Sequence, residues 1–196
     1  MSLKQLASGC AIFGLIMMAT APAVFSQSSA LFEIRNIRQQ PVNAPTYGGA
    51  GELGGRPPTL WQQWLKIEVQ FDSKPEWADN VQIKYYVLLT DQGDSKLFTG
   101  EVTHFNVARG QHYSAMFIHP NTVKRYSSGQ NAVVTARLFY KGAMISQKTD
   151  TQGKNVSTSW WEKYTPIAGC LLSPQETPWA PVADERFEAV KPNSRQ

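Results

Sequence analysis

The 196-residue chain predicts an all-β protein: an antiparallel sandwich with a Pro-rich C-terminal extension. Three observations carry that expectation. Between Ala30 and Thr149 there are seven or eight short segments with apolar residues at every second position, the period of a strand with one face buried. Turn signals separate them at intervals of about ten residues. No stretch of any length shows the helical period.

The elements follow in order. Phe32, Ile34 and Asn36 alternate with Leu31, Glu33 and Arg35 in a first strand ending near Ile37. A Gly- and Pro-rich loop occupies Pro41 to Pro58. From Trp64 to Phe71, Leu65, Ile67, Val69 and Phe71 share one face while Lys66, Glu68 and Gln70 share the other, which predicts a half-buried strand. Asp72 to Asn80, holding Pro75 and Trp77, reads as a connector. Val81 to Leu89 is a strand, and Asp91 to Asp94 a turn. Lys96 to Val107 predicts one or two strands about Gly100, and Arg109-Gly110 a further break. His112 to Ile118 is strand-like, and Pro120 to Tyr126 predicts a helical turn with Pro120 at its first position. Asn131 to Tyr140 and Ala143 to Lys148 form a hairpin about Lys141-Gly142.

Short strands, frequent turns and no intervening helices point to an immunoglobulin- or fibronectin-like sandwich, with a small barrel as the competing arrangement. The Cys…Trp…Cys signature of antibody domains is absent, so that likeness is architectural. Residues 151–196 differ in texture. Ser157 to Tyr164 predicts a short helix, and Pro166, Pro174, Pro178, Pro181 and Pro192 forbid long elements after it. Yet Trp160, Trp161, Leu171, Leu172, Trp179 and Phe187 are too many large apolar residues for a disordered tail. The division expected is residues 1–26 as a signal, 30–150 as the sandwich, and 151–196 as an extension packed on the sandwich or on a partner.

The signal reading rests on Met1 to Gln27. Lys4 supplies a positive start, Ala11 to Ala21 an apolar run of about 11 residues, and APAVFSQ a small-residue cleavage region after Ala23 or Ser26. The run is short for a bilayer span and no second one follows, so a soluble, exported protein without an integral span is expected. Ala7 to Cys10 has lipobox composition but precedes the apolar run, the wrong order for lipidation. Lys and Arg number 19 against 15 Asp and Glu, and loss of Lys4 leaves 18 against 15. That scattered excess excludes a phosphate-binding stripe and with it nucleic acid as a partner. Cys10 departs with the signal, so Cys170 stands alone and no intramolecular disulfide staples the fold. It reads as a small buried hydrophobe beside Leu171 and Leu172.

Motifs for chemistry are sparse. Gly49 to Gly54 matches G-x-G-x-x-G, but prolines on both sides replace the strand and helix that a nucleotide site requires. His104, His112 and His119 lack a tight metal-ligand spacing. No G-x-S-x-G frames a serine nucleophile, and Asp91 and Asp94 flank a turn glycine without marking a carboxylate pair. No catalytic, cofactor or metal residues are therefore assigned. The enriched feature is tryptophan, six in all. Trp61, Trp64 and Trp77 serve as core, or as a stacking platform for sugar rings if exposed. Trp179 sits between Pro178 and Pro181 on a stiff peptide, an anchor for docking within the chain or on a partner. The candidate interaction residues are Trp179, Pro178, Pro181, Phe187, Trp64 and Trp77.

The succession WxxWLKIEVQF, PEWADN, VQIKYYVLL, the segment Ser95 to Tyr126, SWWEKY and the tail Gly169 to Lys191 resembles a family of exported immunoglobulin-like proteins encoded beside type IV pilus genes in Verrucomicrobia, including Akkermansia. The resemblance covers most of the chain after Leu31. It implies a non-catalytic, periplasmic or outer-membrane-associated scaffolding protein of pilus assembly. Its partners would be other envelope or pilus-assembly proteins, bound through sheet edges and the tail. The alternative is a carbohydrate-binding module using exposed tryptophans.

Overall fold

A computed structural model describes residues 31–45, 63–127, 132–181 and 190. The signal segment, the Gly-rich motif Gly49 to Gly54, Trp61 and Phe187 lie outside the described residues.

The chain is an all-β sandwich of two open sheets. One sheet joins β1 (Phe32–Val42), β2 (Trp64–Ala78) and β5 (Val107–Ile118). The other joins β3 (Val81–Asp91), β4 (Asp94–His104), β6 (Val133–Tyr140) and β7 (Ala143–Asp150). Two-residue strands from the extension complete them: β8 (Pro166–Ile167) beside β4, and β9 (Leu171–Leu172) beside β5. The orders are β1-β2-β5-β9 and β7-β6-β3-β4-β8, antiparallel throughout except for β4 with β8. α1 (Pro120–Tyr126) carries Pro120 in its first turn, and the His119 ring accepts the Asn121 N–H at 3.1 Å as its cap. No helix among the described residues is long and apolar enough to cross a membrane.

Alternation builds the core. Ile67, Val69 and Phe71 from β2 meet Ile83, Tyr85, Val87 and Leu89 from β3, all fully buried. The strands run further than their composition predicts. β1 passes Ile37 and continues through Pro41, tolerable because β1 is an edge strand. β2 absorbs most of the expected connector and turns only at Asp79-Asn80, where Asn80 takes φ 56°. β4 runs straight through Gly100 and ends before Asn106 at φ 52°. β5 runs through Gly110, at φ +134°, next to a break in the β2–β5 register between Ser73 and Trp77.

β2 also differs in burial. Lys66 and Glu68 face outward yet are 8 % and 2 % exposed. Their side chains, two residues apart on one face, close an ion pair of 2.5 Å. Such mutual compensation lets charge leave water. On that same outward face Trp64, Ala115 and Phe117 form a second apolar cluster with Val42, Leu172 and Trp179. A third lies outside the other sheet, where Trp160 and Trp161 cover Leu88, Leu97 and Val133. The extension thus contributes apolar residues to the outer face of each sheet.

The sheet edges are occupied by the chain's own segments. β8 and β9 flank β4 and β5 on one side, and Val190 makes an isolated antiparallel bridge to His104 at the end of β4. On the opposite side β1 meets β7: Ile34 N–H donates to Ser146 Oγ at 3.0 Å, and Lys148 Nζ to the Arg35 carbonyl at 2.6 Å. The Gln39 amide donates to the Ala132 carbonyl at 2.8 Å and accepts the Ala132 N–H at 2.9 Å, while also donating to Asp150. The edges expected to bind partners are therefore largely blunted from within.

Candidate interaction surfaces

Among the described tail residues, Trp179 docks within the chain. Trp179 stacks on Phe117, with centroids 4.6 Å apart and planes 16° from parallel, and meets Trp64 edge-on at 5.5 Å. Trp64 in turn meets His119 edge-on at 4.9 Å and is buried. The turn that delivers Trp179 is capped by Ser173 and Glu176, whose side chain accepts from Ser173 N and Oγ at 2.9 Å. Thr177 Oγ1 donates to the Pro174 carbonyl at 2.6 Å. Pro178 is half-buried and Pro181 exposed. Trp64 and Trp179 thus spend ring surface on each other, the first buried and the second half-buried.

Trp77 differs. It stands 66 % exposed at the end of β2, opposite Ala108. Leu31, 45 % exposed, lies at the same end of the sheet, its carbonyl accepting the Lys74 N–H at 3.0 Å. Beside them a shallow basin of about 560 Å³ is lined by Glu33, Arg35, Asp72, Lys74, Arg109 and Gln111. Arg35 is clamped by Asp72 at 2.6 Å and Glu33 at 2.8 Å. The Asp72 hydrogen bond and then the Glu33 charge push its guanidinium above the ordinary arginine value. Arg109 Nε donates to the Lys74 carbonyl at 2.9 Å, and neither cation reaches a carboxylate among the described residues.

A second groove, about 570 Å³, lies on the other sheet between the extension and β3–β4. Tyr86, Trp161, Tyr164, Lys84 and Glu101 line it. Local sequence held a sign of this surface, because Lys84 and Tyr86 take outward parity in VQIKYYVLL. What it could not show is that Trp161 would come down on Tyr86, with centroids 5.1 Å apart.

A serine–histidine pair lies among the described residues. Ser114 Oγ lies 2.8 Å from His104 Nε2 and accepts from Tyr85 Oη at 2.7 Å, linking the two sheets through the core. Ser114, His104 and Tyr85 have no exposed surface, so no substrate reaches the hydroxyl. His112 is buried too, and with His104 it flanks Phe71 at 5.5 and 6.0 Å. No group of three His, Cys, Asp or Glu able to hold a metal occurs among the described residues. Cys170 is a free, half-buried thiol against the main core.

The relay has a pH consequence. Burial foremost, with the Glu68 charge adding, pushes the Tyr85 phenol above its ordinary value of 10.0, against the smaller pull of Ser114. The folded state holds this proton more tightly than the unfolded one. Its contribution is therefore complete below pH 10 and is lost as pH rises beyond. Unfolding free energies from urea titrations at pH 9 to 11 are expected to fall more steeply for the native chain than for Tyr85→Phe, by up to about 1.4 kcal/mol per pH unit. Parallel curves would refute this.

A family model named for an Akkermansia protein matches residues 24–194. Neither a curated protein nor a solved structure matches the chain.

Proposed function

We propose, on the premise that the chain belongs to this Akkermansia-named family, that it is an exported, non-catalytic envelope protein. It acts by protein–protein contact as a structural or scaffolding component associated with type IV pilus assembly. The n-h-c pattern of Met1 to Gln27 supports export. The strand order supports an immunoglobulin-like reading of the fibronectin kind: the first, second and fifth strands face the seventh, sixth, third and fourth.

Trp77 carries the interaction reading. A rigid indole left 66 % in water at a strand end, with exposed Leu31 at the same end of the sheet and with Lys74 and Arg109 lacking carboxylate partners among the described residues, has the makeup of a binding hot spot. Trp77→Ser is expected to leave the melting temperature nearly unchanged. It should weaken capture of a specific envelope protein by about thirty-fold, the usual cost of a lost hot-spot tryptophan. Cross-linking pull-downs from envelope fractions make the comparison, and an unchanged captured set would end the reading. A single exposed indole also admits sugar stacking, the second reading. It requires glycan-array binding that Trp77→Ser abolishes.

A further inference from the structure

We propose that the outward face of the β7-β6-β3-β4 sheet accepts a carboxylate-bearing, partly apolar segment of a partner protein, centred on Arg137 and Lys84. These cations sit directly opposite each other across β6 and β3. Like charges in that position destabilise a sheet. Both residues take outward parity, so neither is required by the inner core.

Local compensation is poor. Lys84 Nζ is 3.6 Å from Glu101 Oε2, with both side chains well exposed, a pairing of little worth. Arg137 has no carboxylate in ion-pair range among the described residues. Its guanidinium is nevertheless held in place. Cζ lies 5.3 Å from the Phe139 ring centroid and 5.6 Å from that of Trp161. Nε and Nη2 point at Met144 Sδ, 3.3 and 3.2 Å away. A thioether is a weak acceptor, and a carboxylate meeting the same fork would replace it with two charge-assisted bonds. Orientation by ring stacking removes much of the entropy cost of that exchange.

The surroundings favour a peptide. Met144 is 48 % exposed and Phe139 half-buried, so apolar surface adjoins the fork. Arg, Met and aromatic residues together are the composition of interface centres. The groove beside Lys84 continues past Tyr86 and Trp161, with room for an extended segment. Glu101 and Glu162 border it. They would repel a dense polyanion such as a polyphosphate or polyuronate, but a chain with spaced carboxylates can avoid them.

The site deepens the interaction reading but stands apart from Trp77, so the two fail separately. The test is an NMR titration of the full chain, following the indole N–H resonance of Trp161, the ring 5.6 Å from the Arg137 guanidinium, which every variant retains. The probe is a short N-acetylated peptide of alternating glutamate and leucine. Controls are its glutamine counterpart, oligogalacturonate and inorganic phosphate. The expected result is a saturable shift with the acidic peptide alone, weakened about ten-fold or more in Arg137→Lys and in Lys84→Gln. Trp77→Ser should leave it intact. Equal binding of the glutamine peptide, tighter binding of uronate or phosphate, or no shift with any probe would overturn the proposal. Melting curves of both variants establish that a loss is not unfolding.

Discussion

Replacing Trp160 with alanine is expected to cost about 3–5 kcal/mol, the usual penalty for deleting a buried tryptophan. For a chain of this size that lowers the melting temperature by roughly 6–20 °C. Trp160 is 3 % exposed and packs, with Trp161, on Leu88, Leu97 and Val133 outside the second sheet. Its indole N–H donates to Thr135 Oγ1 at 2.9 Å, and Thr135 Oγ1 pairs with Thr149 Oγ1 at 2.8 Å across β6 and β7. The alanine variant therefore loses the ring and leaves the buried Thr135 hydroxyl, paired with half-buried Thr149, short of one donor. Trp160→Phe keeps most of the apolar surface and drops only the hydrogen bond, so its cost should be nearer 1 kcal/mol. Urea denaturation of the three proteins separates packing from hydrogen bonding. An alanine variant as stable as the native chain would mean that the extension is an appendage and not an outer layer of the domain.

That layering marks the limit of what local pattern reveals. Period-two alternation located the strands, because one face of each had to meet the opposing sheet. It is silent about a second layer on the other face. Lys66 and Glu68 therefore read as solvent-facing, although their ion pair is buried beside the cluster that seats Trp179. Trp64 and Trp77 are the same residue type on the same strand, yet the first is buried and the second exposed. Trp64 is covered in part by Trp179, more than a hundred residues away in sequence, and by His119 and Phe117. The Pro-Trp-Ala-Pro spacing identified Trp179 as an anchor but could not say where it seats. Arg137 and Lys84 took outward parity, but their opposition depends on the β3–β6 register, which no single strand encodes. Ser114 sits at an inward position of HYSAMFI, a signal that a polar partner awaits it, and Tyr85 and His104 are those partners.

Gly100 is where reading glycine as a strand breaker fails, and it carries the second large prediction. β4 passes through it unbroken, paired with Tyr85 of β3. A Cβ there would stand 2.7 Å from Met116 Cε, 2.9 Å from Met116 Sδ and 2.8 Å from Leu171 Cβ. The methionine tip can swing aside. Leu171 Cβ cannot, because it is fixed to the backbone of β9, which pairs with Phe117 and Ile118. The glycine is thus required by the close passage of the extension from one sheet to the other. Gly100→Val is expected to cost about 3 kcal/mol or more through overpacking, with Gly100→Ala nearer 1–2 kcal/mol. The damage should be local: amide exchange of Leu172 should accelerate, while the β2–β5 and β3–β6 ladders stay protected. A double-mutant cycle gives the sharper reading. Leu171→Gly destabilises by itself, but combined with Gly100→Ala it should give less than the sum of the single losses, because the contact that penalises the alanine is gone. Strict additivity would place the crowding elsewhere and detach Gly100 from the path of the extension.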